Sequence, residues 1–316
     1  MNKKTTQSPR DVWATFLNDI AVARETVGCP ENGNSDAWFR GHTRSDYKLM
    51  PSLFRAFKNP NDESNWDKVF NKESDLFWEF AARARELHGV VEDDWDILFA
   101  MQHYGTPTRL LDWTESFAVA LYFATLGIDE SKLVKADGCQ WDDKGKPVPP
   151  PCLWVLNPYR LNDDERWLAV EGAEADAVHP ANLGWDQDES DYYTYGDLLC
   201  EGYMDWKWPT AIYPRQRNAR IHAQRAWFTI HGDEFVPMDE IPGNERYVTQ
   251  VRLPFAAVGP AKEFLKLAGI NHYLLFADLE SLSLHLQEKN GIITRAQAEA
   301  RAKAHVERRD VVTGEK

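Results

Sequence analysis

Apolar residues recur at helical spacing in several stretches of the chain. In the first, Ser8 and Pro9 are typical of a helix N-terminus, Phe16 and Ile20 share the apolar face that follows, and Gly28 marks the end. The same one-sided periodicity predicts further helices at residues 64–88, 94–101, 114–127, 260–267 and 279–289.

Short apolar runs between turn residues predict the strands. They lie at residues 37–41, 152–156, 219–231, 247–253 and 273–276. In the third run, strand alternation would place Arg220, His222 and Gln224 on one face, which either lines a site or faces solvent. Helices interleaved with separated strands indicate an α+β fold.

One continuous domain with insertions accounts for this order better than two domains. We predict an N-terminal helical segment at residues 1–30 and a main domain at 31–290. Turn-rich and acidic stretches with no clear periodicity predict loop insertions near 130–151 and 171–197. A capping-box pattern at Thr294 opens a charged C-terminal helix and tail at 291–316.

The charge balance restricts the class of partner. Against 36 Lys and Arg there are 50 Asp and Glu, which gives a net charge of −14. A protein that coats duplex nucleic acid normally has the opposite sign, so a nucleic-acid substrate would require a local basic groove. Arg40, Arg44, Arg55, Arg109 and Arg220 would supply one. A basic partner protein fits the overall charge better.

Other general features indicate a cytoplasmic protein without a metal. The four cysteines are scattered and form no CxxC pair, so neither structural zinc nor a disulfide framework is expected. The N-terminal residues contain no apolar stretch typical of a signal peptide, and no run is long enough to span a membrane.

Several common catalytic motifs do not occur. The sequence contains no GxxxxGK[ST], GxGxxG, HExxH or GxSxG, which argues against a P-loop NTPase, a dinucleotide-binding Rossmann fold, a zincin and an α/β-hydrolase. The acidic residues 92–96 lie at the start of a predicted helix, where they complement the helix dipole and need not bind metal.

Arg40 is the first candidate for chemistry. It follows two aromatic residues and precedes Gly41, and a glycine allows a ligand phosphate to come close to the backbone. A guanidinium at a strand end is suited to paired hydrogen bonds with an anionic oxygen group. The alternative is an arginine paired with a surface carboxylate, with the aromatic side chains in the core.

The second candidate is the polar segment 102–114, QHYGTPTRLLDWT. Pro107 ends the preceding helix near His103, and Asp112 or Thr114 is placed to cap the following one, whose free N–H groups favour an anion. The alternative is structural, with Asp112 as a cap, Arg109 in an ion pair and His103 bonded to a carbonyl. We predict that both segments form one site for a phosphate-bearing ligand.

These motifs together resemble the FRG-domain family. The resemblance is carried by WFRG, by Pro51 and Arg55 in YKLMPSLFR, by QHYGTPTRLLDWT with AVALYFAT, and by ARIHAQRAWFTI. The stretch LAGINHYLLFADLESLSLHL is similar to the family's closing segment. The resemblance covers roughly residues 36–286, and it implies a domain found in bacterial and phage-related proteins, including defence and toxin–antitoxin loci.

A weaker resemblance is to arginine-containing ADP-ribosyltransferases, and it implies their split sheet. Phe39-Arg40-Gly41 resembles their first motif, in which the arginine contacts an NAD phosphate, and residues 112–116 resemble their Ser-Thr-Ser motif. The catalytic glutamate of that family has no clear counterpart, since the matching segment contains Arg220 and Gln224.

The resemblance implies NAD as co-substrate and a set of site residues. Its catalytic group would be Arg40, His103, Asp112 and Gln224. Arg40 would hold the pyrophosphate, and His103 or Asp112 would orient the ribose or act as a base. The residues that contact NAD would be Phe39, Gly41, Tyr104, Thr108, Arg109, Thr114, Ser116, Tyr122 and Arg220, with Tyr104 or Tyr122 stacked on nicotinamide.

Three functions follow from the resemblance. The first is an NAD-dependent ADP-ribosyltransferase-like toxin of an anti-phage toxin–antitoxin system, with RNA or protein as the acceptor and an antitoxin, possibly with a chaperone, as the partner. The second is a catalytically silent binding module that senses a ligand or protein. The third, a nuclease-type toxin, is less favoured because no carboxylate set has metal-ligand spacing.

Overall fold

One six-stranded antiparallel sheet is the centre of the fold. The structure is a computed structural model that describes residues 7–29, 37–57, 63–88, 93–129, 140–141, 146–162, 194–201, 207–213 and 219–309. The strands are β1 (Trp38–His42), β2 (Leu110–Thr114), β3 (Gln140–Trp141), β4 (Pro147–Val148), β5 (Cys152–Leu156), β6 (Thr210–Ile212), β7 (Ala226–Ile230) and β8 (Val248–Arg252). The helices are α1 (Pro9–Thr26), α2 (Ser52–Arg55), α3 (Glu63–His88), α4 (Asp94–His103), α5 (Phe117–Thr125), α6 (Pro158–Asn162), α7 (Tyr195–Glu201), α8 (Ala219–Gln224), α9 (Val258–Leu267), α10 (His272–Phe276), α11 (Leu279–Lys289) and α12 (Arg295–Arg309).

The strand order is β6-β7-β2-β1-β5-β8, and β3 and β4 form a separate two-stranded ribbon. This mixture of helices with an antiparallel sheet confirms the α+β class. Most neighbouring strands of the sheet pair over three to five positions, but β1 and β2 pair at one, Phe39 with Thr114. The two halves of the sheet therefore meet at a narrow join, which we call the seam.

The helices cover one face of the sheet in two groups. Phe39 of β1 packs into a core with α1, α5 and α9, whereas Leu110 of β2 packs into a core with α3, α4 and α7. Phe39 pairs with Thr114, and Thr114 shares a face with Leu110 by strand alternation, so both groups lie on the same side. The opposite face packs against the short helix α6 and against loops, through a tryptophan-rich core that includes Trp38 and Trp113. None of the helices in the described part of the chain has the length and apolar character of a membrane span.

Most predicted elements are confirmed, often to within two residues. Ser8 caps α1 in a capping box with Asp11, and Thr294 and Gln297 form the reciprocal bonds expected at the start of α12. Of the predicted insertions, most of 171–197 and much of 130–151 lie outside the described residues.

Two predicted strands are wrong in part or whole. Residues 219–224 form helix α8, and Arg225, at a φ of 45°, separates it from β7, so the expected common strand face of Arg220, His222 and Gln224 does not exist. Residues 272–276 form helix α10, capped by Asn271. Both helices span only five or six residues, too few for periodicity to distinguish a helix from a strand.

The predicted start of the helix after the polar segment is also wrong. Asp112 and Thr114 belong to β2, and Ser116 caps α5 by accepting a hydrogen bond from the backbone N–H of Val119. The extended conformation expected at Leu110 and Leu111 therefore continues for three more residues, because β2 pairs with β7 along its whole length.

Candidate functional site

Arg40 lies at the seam and reaches across it. Its Nη1 donates a hydrogen bond of 2.6 Å to the backbone carbonyl of Asp112 and lies 3.6 Å from the carboxylate oxygen Oδ2 of the same residue. Its Nε donates to His42 Nε2 at 3.1 Å. Nη2 has no hydrogen-bond partner among the residues that the structure describes, and the side chain is 21% exposed. The guanidinium is thus held in place with one nitrogen uncommitted.

The partner imidazole of Arg40 carries no charge near neutral pH. Burial first, and then the neighbouring Arg40 and Arg55, lower the pKa of His42 well below its ordinary value. Trp154 Nε1 lies 3.3 Å from the other ring nitrogen of His42. A neutral imidazole has one nitrogen that accepts and one that carries a proton. When Nε2 accepts from Arg40, the proton is on Nδ1, and Trp154 then cannot donate to that nitrogen. His42 therefore orients Arg40 without neutralising its charge.

A directed chain of hydrogen bonds fixes the carboxylate of Asp112. The backbone N–H of Leu110 donates to Thr108 Oγ1 at 3.1 Å, and the Thr108 hydroxyl donates to Gln102 Oε1 at 2.6 Å. Because the carbonyl end of the Gln102 amide is occupied in this way, its NH₂ end faces Asp112 and donates to Oδ2 at 2.8 Å. Asp112 is half-exposed, so an oriented carboxylate beside Arg40 remains accessible to a ligand.

We call the group formed by Arg40, His42, Gln102, Thr108 and Asp112 the seam site. The sequence predicts individual roles for three of these residues and includes Gln102 in the polar segment without a role of its own, whereas His42 was not predicted. Gln102 belongs to the polar motif, and His42 lies two positions after Arg40 on the same strand face, so both had a signal in the sequence.

Arg109 does not belong to this site, contrary to the prediction. It is fully buried, and its Nε donates to Glu73 Oε1 at 2.7 Å while its Nη1 donates to the carbonyls of His231 and Gly232 at 2.8 and 3.1 Å. The Tyr195 hydroxyl donates to the same carboxylate oxygen of Glu73 at 2.5 Å. Burial is the largest single effect and lowers the pKa of Arg109, but the neighbouring groups Glu73, Tyr195 and Asp233 together outweigh it and raise the pKa overall. This arginine joins α3, β2 and α7 and is inaccessible to NAD.

Four other predicted residues lie in α8 or beside it: Arg220 and Gln224 belong to the helix, and His103 and Tyr104 lie next to Arg220. Arg220 donates to the carbonyl of His103 at 3.0 Å and lies over the ring of Phe276, and Gln224 Nε2 donates to the carbonyl of Leu275 at 3.2 Å. The side chains of Arg220 and Gln224 thus hold α8 against its neighbours. Tyr104 is 49% exposed, its ring meets the ring of His103 edge-on, and it lies two residues along the chain from Gln102 of the seam site.

The remaining predicted contacts have structural roles. A Cβ on Gly41 would lie 1.9 Å from the carbonyl oxygen of Ala120, so this glycine admits the backbone of α5 and not a ligand phosphate. Phe39 is buried in the core beneath the same helix. Thr114 Oγ1 donates to the carbonyl of Gln224 and accepts from the N–H of Ser116, whose own hydroxyl caps α5.

Tyr122 lies elsewhere. It lines a cavity of about 260 Å³ between α5 and the helices α9 to α12, and no other residue predicted for the NAD site lines that cavity. Within the described ranges, no group of three or more His, Cys, Asp and Glu side chains is arranged to hold a metal ion.

Comparison with known families finds a match, and it includes the Phe39-Arg40-Gly41 motif. Residues 35–132 match the family model of the FRG domain. Residues 35–132 are therefore assigned to the FRG domain. The matched segment spans β1, β2 and α2 to α5 and therefore contains every residue of the seam site, while β5 to β8 lie outside it. No curated protein and no solved structure shows significant similarity to the chain.

Proposed function

We propose that the seam site of the FRG domain binds a phosphate of NAD and that the protein transfers ADP-ribose to a macromolecule. The observation that carries this proposal is the state of Arg40. Its guanidinium is anchored by the carbonyl of Asp112 and by a neutral imidazole, yet its Nη2 has no partner in the described part of the chain. A preorganised cation with a free donor is suited to an anionic oxygen.

A phosphate would compete well for this guanidinium. The nearest counter-charge, the Asp112 carboxylate, lies 3.6 Å from Nη1, beyond hydrogen-bonding distance, and is already bound by Gln102. A phosphate that accepts from Nη1 and Nη2 together gains two charge-assisted hydrogen bonds. The Asp112 side chain does not have to move away from Arg40 when the phosphate binds, because its carboxylate is held by the hydrogen bond from Gln102.

We propose that the same carboxylate supports the transfer step. When the bond between nicotinamide and ribose C1′ breaks, nicotinamide leaves with the bonding electrons and positive charge develops on the ribose. Asp112 stabilises that charge, and the acceptor oxygen or nitrogen then bonds to C1′ with its own electron pair and gives its proton to the Asp112 carboxylate or to water. We propose that nicotinamide stacks on the ring of Tyr104, a residue that is 49% exposed.

The narrow join between β1 and β2 agrees with this proposal. Arginine-containing ADP-ribosyltransferases have a split sheet, and we propose that the seam is its counterpart here, with the cofactor bound where the two central strands separate. The single pair of Phe39 with Thr114 is the feature that supports this assignment.

The biological setting that we propose is a toxin of a bacterial anti-phage toxin–antitoxin system, acting on RNA or protein in the cytoplasm. The net charge of −14 favours a basic antitoxin as the partner. If this is right, expression of the chain alone arrests growth, and the substitution Arg40→Gln relieves the arrest at equal protein level.

NAD binding and label transfer test the proposal directly. Purified protein is titrated with NAD by calorimetry and then incubated with labelled NAD and either cell RNA or cell protein. Loss of a charge-assisted hydrogen bond to phosphate predicts about tenfold to a hundredfold weaker binding for Arg40→Gln. Asp112→Asn is expected to retain binding and lose transfer.

A matched control comes from Arg44. It is an exposed arginine four residues away that forms its own pair with Asp46, so Arg44→Gln removes the same charge outside the seam site. Thermal unfolding identifies variants that fail to fold, and Arg40→Lys provides a second, charge-preserving test. Wild-type protein that does not bind NAD, or Arg40→Gln that binds as well as Arg44→Gln, would falsify the proposal.

A catalytically silent binding module is the second candidate. The position of Gln224 favours it, because this residue stands where the transferase resemblance expects a catalytic glutamate and its amide is bonded to Leu275 at α10. NAD binding that depends on Arg40 but gives no label transfer to RNA or protein supports this second function over the first.

A further inference from the structure

A cavity separate from the seam site lies among the C-terminal helices. It has a volume of about 260 Å³ and lies between α5 and α9 to α12. A cavity of about 150 Å³ is enough to hold benzene, so this one accommodates a substituted single ring. Its apolar wall comes from a small buried cluster formed by Leu126, Leu284, Ala298 and Ala302.

Two alanines of α12 create the space. Ala298 and Ala302 are one helical turn apart, so their methyl groups face the same side, and both line the cavity while being almost fully buried. Larger apolar residues at these positions would close it. The rim carries charges of opposite sign, including Lys266 and Glu288, while Glu299 is already paired with Lys262.

A chain of hydrogen bonds ends at the polar side of this cavity. Tyr122 Oη lies 3.0 Å from His272 Nδ1, and His272 Nε2 lies 2.7 Å from His305 Nδ1. His305 Nε2 faces two carboxylates, at 3.6 Å from Asp278 Oδ2 and 3.6 Å from Glu280 Oε2. The chain thus connects the cavity wall with an acidic end.

At a pH at which both imidazoles are neutral, the two carboxylates determine which ring nitrogens of His305 and His272 carry a proton. The carboxylates favour the N–H of His305 on Nε2, so its Nδ1 accepts from His272 Nε2. His272 Nδ1 must then accept, and the Tyr122 hydroxyl donates to it. The proton of Tyr122 therefore points away from the cavity, and its oxygen is left as an acceptor.

We propose that this cavity binds a small uncharged molecule with a ring-sized apolar body and one hydrogen-bond donor, which donates to the oxygen of Tyr122. The apolar body fills the space beside Ala298 and Ala302. The proposal rests on the cavity and the directed chain and does not depend on NAD binding at the seam site.

Phenol and its methyl ether anisole are matched probes for this site, since they share a ring but only phenol can donate. Binding is measured at pH 8, where free histidine is neutral, from the shifts of α12 amide resonances during titration. Wild-type protein is expected to bind phenol roughly three to ten times more tightly than anisole, which is the usual effect of one neutral hydrogen bond.

Two kinds of variant separate the polar and apolar parts of the proposal. Tyr122→Phe keeps the ring but removes the acceptor, so phenol and anisole are expected to bind equally. Ala298→Leu fills the cavity and is expected to abolish binding of both probes, whereas Ala304→Leu, on the exposed side of the same helix, leaves binding unchanged. Ala302→Leu replaces Ala298→Leu if the latter fails to fold in a thermal melt.

The proposal is overturned by any of three results. They are no binding of either probe to the wild-type protein, equal binding of phenol and anisole to it, and unchanged phenol binding in the folded variants with a filled cavity. NAD titration of the same variants is a separate readout, because residues of this cavity do not belong to the seam site.

Discussion

The buried ion pair of Arg109 with Glu73 offers the sharpest test of the fold. Substitution of Glu73 by Gln keeps the size of the side chain but removes the only carboxylate that contacts the guanidinium within hydrogen-bonding distance among the described residues. Arg109 is 0% and Glu73 2% exposed, so water cannot solvate the charge that remains. Breaking a buried pair on one side typically costs about 3–5 kcal/mol.

The remaining contacts of Arg109 reduce that cost only in part. Its Nη1 keeps the carbonyls of His231 and Gly232 as acceptors, whereas the Tyr195 hydroxyl loses a charged acceptor. We therefore expect Glu73→Gln to lower the free energy of unfolding by about 3 kcal/mol. Urea denaturation followed by circular dichroism measures this difference.

A double substitution distinguishes charge from packing. Arg109→Met in the Glu73→Gln background removes both charges while keeping a long apolar side chain, so it is expected to recover at least about 1 kcal/mol relative to Glu73→Gln alone. Two results refute the reasoning. The first is a loss of less than about 1 kcal/mol in the free energy of unfolding of Glu73→Gln. The second is strict additivity, in which adding Arg109→Met to Glu73→Gln lowers the free energy of unfolding by as much as Arg109→Met does in the wild-type protein.

Three further results are expected. Gly41→Ala places a methyl group against the backbone of α5 and should lower stability by about 2–3 kcal/mol in urea denaturation; an unchanged midpoint would show that α5 does not lie this close to β1. Thr108→Val removes the hydroxyl that orients Gln102 towards Asp112, so the Gln102 side-chain NH₂ resonances should move towards those of an exposed glutamine, whereas Thr108→Ser should preserve them. Burial, followed by the charge of nearby arginines, lowers the pKa of His231 from 6.5 to about 3, so the unfolded chain takes up a proton below pH 6.5 that the folded protein does not. Stability should therefore fall as the pH drops from 6.5 towards 3, by about 3 kcal/mol at pH 4.5 from this residue, and the fall should be smaller by that amount in His231→Phe.

Much of the fold could be predicted from the sequence, because segments with a clear pattern of apolar residues indicate the type and the bounds of an element. Helix α11 has the predicted bounds of residues 279–289, and β5 has those of 152–156. The errors occur at α8 and α10, which are too short for a period and are held by tertiary contacts such as the bond of Gln224 to Leu275.

The candidate site could be predicted only in part for a related reason. Arg40 and Asp112 were expected to lie together, and they do so across the seam. In the sequence Arg109 belongs to the same polar segment as Asp112, but its partner Glu73 lies 36 residues earlier, on helix α3, so nothing local indicates that the arginine is buried. Tyr122 is separated from Arg40 because α5, which starts near the seam, carries it to another side of the domain.

The single pair between β1 and β2 has a consequence for the cooperativity of the fold. A continuous antiparallel ladder couples the hydrogen exchange of neighbouring strands. Here the two halves of the sheet, each with its own group of helices, are joined by one backbone pair and by the tryptophan-rich core on the opposite face. Native-state hydrogen exchange should therefore resolve two opening free energies, with the boundary between Phe39 and Thr114. A ligand that bridges Arg40 and Asp112 would join these halves and make them exchange as one.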